Sequence, residues 1–299
     1  MTRPAPFTVK AHQRIIRERR AAENTDADMF GHWWQGINMD ISKADVREVS
    51  HETARSIIEK YEWLECMPAV VWYNYGIFFD GCCAGVVCYG PEYSENLGRL
   101  ARESGRKCAD WSKYGFEGKM ILLSRGACTF WAHPHAGSKL IRESMKLLPV
   151  KYEIVTSTCD PAAGEIGTIY QACGFDYVGS MRDNREAVKS RYMDRDGWLI
   201  DGKIVGSRSM RQRCGSTKAA DIAAVFPDAV KIKQHSKHRY FAFRGSAGTK
   251  KRNRAAIAHL IKRFPKRAEK VSSSDTVDTI DKAGGGSRSP LQIANGGAE

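Results

Sequence analysis

The chain has 299 residues, of which 42% are hydrophobic and 27% charged, a composition typical of a folded protein with one large α/β domain and appendages. No apolar run approaches the roughly 18 residues that span a membrane, and the N-terminus lacks the apolar stretch of a secretory signal, so we expect a cytoplasmic protein without a membrane partner. Nine cysteines without a C-x-x-C pair or a zinc-ligand spacing predict reduced thiols rather than a disulfide scaffold.

The net charge of +13 is concentrated in one segment. Residues 1–200 carry 26 basic and 26 acidic side chains, whereas residues 201–270 carry 19 basic against 4 acidic, a local net of +15. Because neutralised phosphates release counterions, such asymmetry favours a nucleic-acid partner, here double-stranded DNA, over the alternative of a merely solvated face.

Residues 1–40 combine a basic stretch with an aromatic cluster, and we interpret them as an N-terminal appendage. The pattern then becomes regular: ADVREV predicts a strand, and HETARSIIEKY predicts a helix with its apolar residues on one face. Two apolar runs joined by Asp80 and Gly81 predict an antiparallel hairpin, since this dipeptide tolerates the left-handed backbone of a tight turn.

A strand (KMILLSRGACTF), a helix near Ser138, another strand (YEIVTST), a short helix stopped by Gly174 and a last strand (FDYVGSM) follow. This order predicts an α/β (α+β) fold with a mixed central sheet, as in the acyl-CoA N-acyltransferase (GNAT) core. The basic part predicts a second hairpin, further helices and strands, and a β-rich extension. The predicted boundaries are therefore an appendage at 1–40, a core at 41–182, a basic DNA-binding extension at 183–270 and a disordered tail at 271–299.

Three segments carry a resemblance to a known family. DPAAGEIGTIYQACGF (residues 160–175), SRSMRQR and KHRYFAF resemble blocks of the Mom family of phage DNA modification proteins, and the similarity spans about residues 45–245. The resemblance implies a GNAT-folded, acyltransferase-like methylcarbamoylase that converts adenine in DNA to its N6-methylcarbamoyl (acetamido) derivative. This reaction protects DNA from restriction, and it would take place in the host cytoplasm if the chain is phage-encoded.

Asp160 and Tyr170 are the predicted catalytic residues. Asp160 stands where a strand ends, the place where α/β sheets assemble ligand sites, and its carboxylate could take a proton from an adenine amine. The resemblance to acyltransferases implies that Tyr170 protonates a leaving thiolate. The structural alternatives are a helix N-cap for Asp160 and a packing aromatic for Tyr170.

The predicted cofactor-binding residues are Arg125, Gly137, Ser138 and Lys139. The last three begin a helix whose N–H groups could cradle a pyrophosphate, although Ser138 is equally well explained as an N-cap. Because the usual acetyltransferase loop is replaced by HPHAGS, the donor is either acetyl-CoA or another acyl or glycyl donor. Iron is a possible cofactor to which we assign no ligands.

Tyr61, Glu62 and Trp63 are predicted to line the substrate pocket, where the aromatic rings could stack on an extruded base, with core packing as the alternative for Trp63. His133 and His135 flank Pro134 and could titrate or bind a metal ion, although a structural role is favoured.

Basic residues of the extension are the predicted DNA contacts, with an edge strand as the alternative for KHRYFAF. The predicted set is Arg208, Arg211, Arg213, Lys231, Lys233, Lys237, His238, Arg239 and Tyr240.

Two other functions remain open. One is a GNAT-type N-acyltransferase acting on the amine of a protein, a small molecule or a transfer RNA. The other is a DNA-binding module that kept the fold without catalysis. The sequence does not specify the oligomeric state.

Overall fold

The structure is a computed structural model, and it describes residues 10–25, 33–92, 111, 114–180, 195–200, 203–234 and 237–266. The tail predicted for 271–299 lies outside the described residues, as do the first nine residues of the appendage. The described residues of the appendage, 10–25 and 33–40, contain a helix, α1 (His12–Thr25), and a short 3-10 turn (Trp33–Gly36).

The first strand and helix of the regular part lie where the sequence predicts them. Strand β1 (Asp45–Glu48) is followed by α2 (His51–Tyr61). Ser50 caps this helix, because its hydroxyl accepts a hydrogen bond from the Thr53 N–H at 3.1 Å. Ala54, Ile58 and Tyr61 are buried along one face, as their helical spacing indicates.

The predicted hairpin is confirmed by β2 (Tyr73–Phe79) and β3 (Cys82–Gly90), which pair antiparallel. Asp80 and Gly81 form the turn with φ values of 45° and 80°, so both adopt the left-handed backbone that a two-residue turn requires.

The rest of the core contains β4 (Met120–Cys128), α3 (Ala136–Leu147), β5 (Ile154–Cys159), a 3-10 turn (Pro161–Ala163), α4 (Thr168–Ala172) and β6 (Asp176–Ser180). The basic part contains β7 (Arg195–Ile200), β8 (Lys203–Gly206), α5 (Ser207–Cys214), α6 (Ala219–Val225), β9 (Val230–Gln234), β10 (His238–Phe243), α7 (Ala247–Ala256) and a 3-10 turn (Ala258–Leu260).

Seven strands form the central sheet, in the order β1-β2-β3-β4-β5-β10-β6. Neighbouring strands run antiparallel except β4 and β5, which are parallel. Helix α3 covers one face, where Val87, Ile121 and Val155 are buried. Val86, Met120 and Ile154 point to the opposite face. The predicted mixed α/β architecture is confirmed.

Strand β10 lies inside this sheet, between β5 and β6 and antiparallel to both. The boundary predicted at residue 182 therefore does not separate the core from the basic part, because β10 belongs to the core sheet. The edge strand considered for KHRYFAF is likewise corrected. Tyr240, Phe241 and Ala242 are all buried, which is the continuous apolar run expected of an interior strand.

The basic part also has a small sheet of its own, in the order β8-β7-β9. Trp198, Met210 and Ile222 pack together on it, so SRSMRQR forms a helix, α5, whose buried residue is Met210. In the last described segment, α7 ends at Ala256 and a 3-10 turn follows.

Gly167 provides the contact between the 160–175 block and β10. Its φ is +67°, and a Cβ atom placed there would lie 2.4 Å from Cζ of the Tyr240 ring. Tyr240 is fully buried, and its hydroxyl donates to the Ile166 carbonyl at 2.6 Å, so the ring has no room to move. Only glycine fits this position, for both conformational and steric reasons.

Gly167→Ala is therefore expected to destabilise the protein by roughly 2–4 kcal/mol, the combined cost of a left-handed backbone and a steric clash. Gly174→Ala is the matched control, because Gly174 has a φ of +77° but a Cβ atom there would meet nothing within 4 Å. The control is expected to lose only about 1 kcal/mol. Urea unfolding of both variants measures the difference, and equal losses would contradict the predicted clash.

Candidate active site

The parallel strands β4 and β5 pair over only part of their length. Their register runs from Met120 opposite Ile154 to Leu123 opposite Ser157, yet β4 continues to Cys128 and β5 to Cys159. Within the described chain, no ladder joins them beyond that point. The carboxyl ends of the two strands therefore offer backbone groups to a ligand, as at a switch point of an α/β sheet.

A β-bulge in β4 accompanies this separation. Cys88 pairs with Arg125 and Tyr89 with Leu123, so Ser124 is the extra residue, and its hydroxyl donates to the Cys88 carbonyl at 3.0 Å. Arg125 follows the bulge, and its Nε donates to the Cys66 carbonyl at 3.3 Å. A bulge of this kind redirects the next side chain, here toward the turn after α2.

Asp160 follows the last residue of β5 and is 8% exposed. The antiparallel register sets His238 opposite Cys159, which brings Lys237 alongside Asp160, with 4.0 Å between Nζ and Oδ2. The Asp160 carbonyl accepts from the N–H groups of Ala163 and Glu165 at 3.0 and 3.2 Å. The backbone of Asp160 thus closes the turn, while its carboxylate faces a lysine.

Two further carboxyl groups, Glu62 and Glu165, belong to the same cluster. Burial raises the pKa of Glu165 to about 7, and the nearby charges of Glu62 and Asp160 raise it further while Lys237 lowers it. Burial also raises the pKa of Glu62, against the opposing charge of Arg125, whose Nε lies 3.9 Å from Oε2. Glu165 therefore exchanges a proton near neutral pH, as a general base must.

Tyr170 lies in α4 and is packed between aromatic rings, 5.4 Å from Phe175 and 5.2 Å from Tyr240 between ring centroids. Burial raises its pKa well above the usual value, against a hydrogen bond with Ser157 that lowers it. The phenol is therefore protonated at neutral pH and can donate a hydrogen bond. Ser157 is the residue at which β4 and β5 stop pairing.

The first turn of α3 meets α4 of the 160–175 block. A Cβ atom at Gly137 would lie 2.9 Å from Cδ1 of Ile169, and the Cys173 thiol donates to the Ser138 carbonyl at 3.5 Å. The helix N-cap, His135, makes no side-chain cap bond. The amide groups at this helix terminus thus lie next to the 160–175 block. Amide groups at the N-terminus of a helix bind anions, so an anionic group of a ligand could be held here.

The side chains predicted to bind the cofactor are already engaged. The Ser138 hydroxyl donates to the His135 carbonyl at 3.0 Å, and Lys139 Nζ donates to the Ile41 carbonyl at 2.7 Å. Lys139 therefore holds the loop before β1. The backbone amides of the turn, rather than these side chains, fit a phosphate-bearing donor.

Tyr61 and Trp63 flank Glu62 at the end of α2. Tyr61 is only 7% exposed and packs with Ile58 and Val86, so its prediction as a pocket residue is corrected: its ring belongs to the core. Trp63 is half-buried, and its ring lies edge-on to His12 at 5.3 Å. His133 and His135 lie 5.4 Å apart, and the His133 Nδ1 accepts from the His135 N–H at 3.1 Å, which is a structural contact within the loop.

A family model described as the Mom protein family matches residues 43–266, about three quarters of the chain. The chain belongs to the Mom protein family. Membership supports a phage DNA modification protein with DNA as its substrate. None of the curated protein sequences compared with the chain matches it.

Two solved structures are similar to this chain. One is a polyamine N-acetyltransferase of Drosophila melanogaster that catalyses the formation of N-acetylagmatine, with 11% identity and a TM-score of 0.36. The other is a point mutant of an agmatine N-acetyltransferase in its apo form, with 10% identity and a TM-score of 0.32. Each comparison covers 67% of this chain and 100% of the other.

The predicted DNA contacts of this Mom family member do not share one exposed surface. Arg211, Arg213 and Lys231 are exposed, on α5 and β9. His238, Arg239 and Tyr240 are 6%, 6% and 0% exposed, so their prediction as surface contacts is corrected. They lie in an interior strand, and Arg239 pairs with the buried Glu92 at 3.1 Å. Lys237 faces Asp160, and the side chains of Arg208 and Lys233 lie outside the described part of the structure.

Part of the basic charge stabilises the fold. The Arg244 guanidinium donates to the carbonyls of Leu148 and Tyr152 beyond the C-terminal end of α3, where a cation is favourable. Arg254 forms a bidentate pair with Asp176 at 2.7 and 3.0 Å. The local net of +15 therefore overstates the charge that a polyanion can reach.

The cluster also contains Glu165, which the sequence did not indicate as functional, and Glu62, which was expected only to line the pocket beside Trp63. Glu165 lies inside the 160–175 block, but its sequence neighbours do not show that it comes close to Glu62 and Asp160. Glu62 precedes Trp63, and only the fold brings it to Arg125 on β4. A charged residue within an otherwise apolar or small-residue block was the signal available for Glu165.

No group of three or more His, Cys, Asp or Glu side chains suited to a metal ion occurs among the described residues, so the iron prediction has no support in this part of the chain. The cysteines there are free thiols, as predicted. None of the helices that the structure describes is both long and apolar enough to cross a membrane.

Glu165→Gln is expected to change how stability depends on pH. The folded pKa of Glu165 lies above its model value of 4.5, so folding binds a proton between about pH 4.5 and 7, and the wild type loses stability as pH rises through this window. The variant has no such loss, and its advantage at pH 8 relative to pH 5 is expected to be roughly 1–2 kcal/mol. Unfolding free energies across this range provide the measurement.

Glu59→Gln is the control, because Glu59 is an exposed carboxylate on α2. The unfolding free energy of this control should depend on pH in the same way as that of the wild type. A Glu165→Gln curve that also stays parallel to the wild type would show that Glu165 ionises normally.

Proposed function

We propose that this protein transfers an acetamido (methylcarbamoyl) group to the N6 amine of adenine in double-stranded DNA, and that this protects the DNA from restriction. The observation that carries the proposal is the position of the 160–175 block. The block that most resembles the Mom family lies where β4 and β5 stop pairing, against the first turn of α3, and it contributes Asp160 and Glu165 to a carboxyl cluster.

The donor is acetyl-CoA or another acyl or glycyl donor. Bound as an activated ester, the donor would supply an electrophilic carbon for the adenine amine, and the new bond to N6 would replace the bond to the leaving thiol or alcohol. Acetyl-CoA carries no nitrogen and would give an N6-acetyl group, so the acetamido product requires a glycyl or similar donor that brings this nitrogen. The backbone amides of Gly137 and Ser138 would hold its phosphates, because these groups begin α3 next to α4. Arg125 is 21% exposed and would contribute positive charge from the β4 side.

Transfer replaces one hydrogen of the N6 amine, so that amine must lose a proton. Glu165 accepts it, because a carboxyl group with a pKa of about 7 is ionised often enough at neutral pH and is still basic enough to take a proton. Asp160 accepts a hydrogen bond from the amine and orients it. Lys237 balances the negative charge that remains on the pair.

Tyr170 has the complementary role. Its phenol is protonated at neutral pH and lies beside Ser157, at the end of the paired part of β5. A protonated phenol in this position can donate to the leaving group of the donor, which matches the role implied by the resemblance to acyltransferases.

The DNA would lie against the small sheet. Strand β8 contacts the Pro161–Ala163 turn, so the sheet and α5 lie next to the residues that follow Asp160. Met210 anchors α5 to the sheet, which leaves Arg211 and Arg213 exposed. Phosphate contacts there would hold the backbone while an adenine is extruded, a step that costs a few kcal/mol.

Mass spectrometry of nucleosides tests the reaction. DNA from cells that express the chain should contain a deoxyadenosine derivative heavier by an acetamido group less one hydrogen. Asp160→Asn and Glu165→Gln should each lower its yield by about 100-fold or more, because each removes a group that handles the amine proton. Glu59→Gln should leave the yield unchanged. Unmodified deoxyadenosine together with acylation of a protein, small-molecule or transfer RNA amine would favour the alternative acyltransferase.

Replacing Arg211 and Arg213 together by alanine is expected to weaken duplex binding and to lower the slope of log affinity against log salt by up to about 1.8, since each phosphate contact contributes about 0.9. The matched control is Arg14→Ala with Arg55→Ala, two arginines on α1 and α2 whose side chains are 73% and 55% exposed. Fluorescence anisotropy at several salt concentrations measures both. An equal effect of the two pairs would contradict a local interface on α5.

A further inference from the structure

Helix α1 lies outside residues 43–266 that match the family, yet it contacts two segments of the candidate active site. One is the turn of residues 60–65 that follows α2 and contains Glu62. The other is the loop of residues 129–135 that leads from β4 into α3. The predicted appendage is therefore attached to the walls of the site.

Gln13 makes the central contact with the turn. Its side-chain Nε2 donates to the Tyr61 carbonyl, and its Oε1 accepts from the Trp63 N–H at 3.2 Å. One amide side chain thus holds the peptide groups on both sides of Glu62. Because both partners are backbone groups, the contact fixes the position of the backbone at Glu62 rather than the rotamer of a side chain.

Other residues of α1 reinforce the same turn. Arg20 Nε donates to the Lys60 carbonyl at 2.9 Å, and Arg19 pairs with the Glu65 carboxylate at 3.0 Å. Glu65 has a φ of 53°, a left-handed backbone that a residue other than glycine adopts at a cost. The turn therefore needs external contacts to keep its shape, and α1 provides them.

The position of Glu62 has consequences inside the site. Its Oε2 accepts from the Leu64 N–H at 2.8 Å and lies 3.9 Å from Arg125 Nε, with the side chain 7% exposed. A small displacement of the backbone would separate the carboxylate from Arg125. It would also change the electrostatic environment of Glu165, whose pKa the charge of Glu62 raises.

We propose that Gln13 is a positioning residue, which holds Glu62 beside Arg125 and thereby makes α1 a working part of the active site. Arg17 extends this role to the second wall, because its Nη2 donates to the Phe130 and Ala132 carbonyls at 3.2 and 2.6 Å. The helix thus ties the carboxyl cluster to the loop that begins α3. The effect of Gln13 on turnover rests on the proposed function, but its effect on Glu62 does not.

Gln13→Met in the full chain tests the inference, since methionine has a similar length but makes neither hydrogen bond. Arg14→Ala is the matched control, because Arg14 is the next residue of α1 and its side chain is 73% exposed. The first readouts are independent of activity: hydrogen exchange of the Trp63 amide and a carboxyl-carbon NMR titration of Glu62. The charged or titratable groups that act on Glu62 are Arg125 on β4, Lys237 before β10, Glu165 before α4 and Cys88 on β3.

Gln13→Met should make the Trp63 amide exchange at least about tenfold faster, because this amide loses its part-buried hydrogen bond to Gln13. The midpoint of the Glu62 titration should move, because the distance to Arg125 changes. If the proposed DNA reaction takes place, kcat should fall about tenfold, its pH profile should shift and KM for DNA should stay within about twofold. Gln13→Glu keeps the acceptor for the Trp63 N–H and should recover part of the Trp63 protection.

Unchanged Trp63 exchange and an unchanged Glu62 titration in Gln13→Met would overturn the inference, whatever the activity. A wild type that modifies no adenine would overturn the proposed function alone, because the two NMR readouts would still report on Glu62. A Gln13→Met variant with altered readouts but normal kcat and pH profile would show that α1 only stabilises the fold, and would also overturn the inference.

Discussion

Strands β4 and β5 stop pairing after four residue pairs, and the geometry of the whole site follows from this separation. Two parallel strands that stay paired would leave no space between their carboxyl ends. The bulge at Ser124 ends the pairing and turns Arg125 toward Glu62, and Asp160 follows directly where β5 ends. Because the strands separate, the first turn of α3 and the 160–175 block can face a common ligand.

The insertion of β10 explains why distant segments of the family resemblance belong together. Tyr240 fills the space over Gly167, and the register of β10 against β5 brings Lys237 to Asp160. The KHRYFAF segment is therefore as much a part of the site as the 160–175 block, although it contacts no solvent along most of its length. Its arginine, Arg239, pairs with Glu92 inside the protein instead of with a phosphate.

Local features of the fold could be predicted because their causes are local. Asp80 and Gly81 specify a turn through their own backbone preferences, and the spacing of the apolar residues specifies the buried face of α2. The position of β10 could not be predicted, since an apolar strand fits any open edge until the register is known. The pairing of Glu62 with Arg125 could not be predicted for the same reason, because Arg125 is distant in sequence. The net charge of the basic part overestimated the charge available to DNA, because arginines such as Arg244 bind backbone carbonyls.

We propose that the carboxyl groups of Asp160 and Glu165 act on adenine in DNA. This proposal is tested most directly by incubating the purified chain with a heavy-isotope duplex and a cell extract that supplies acyl and glycyl donors, and then analysing the labelled nucleosides. We expect a labelled acetamido derivative of deoxyadenosine when the wild type is added. A duplex of G·C pairs, or the Asp160→Asn variant, should give only unmodified nucleosides. Unmodified labelled deoxyadenosine with the wild type, under conditions in which the chain is folded and binds the duplex, would contradict it.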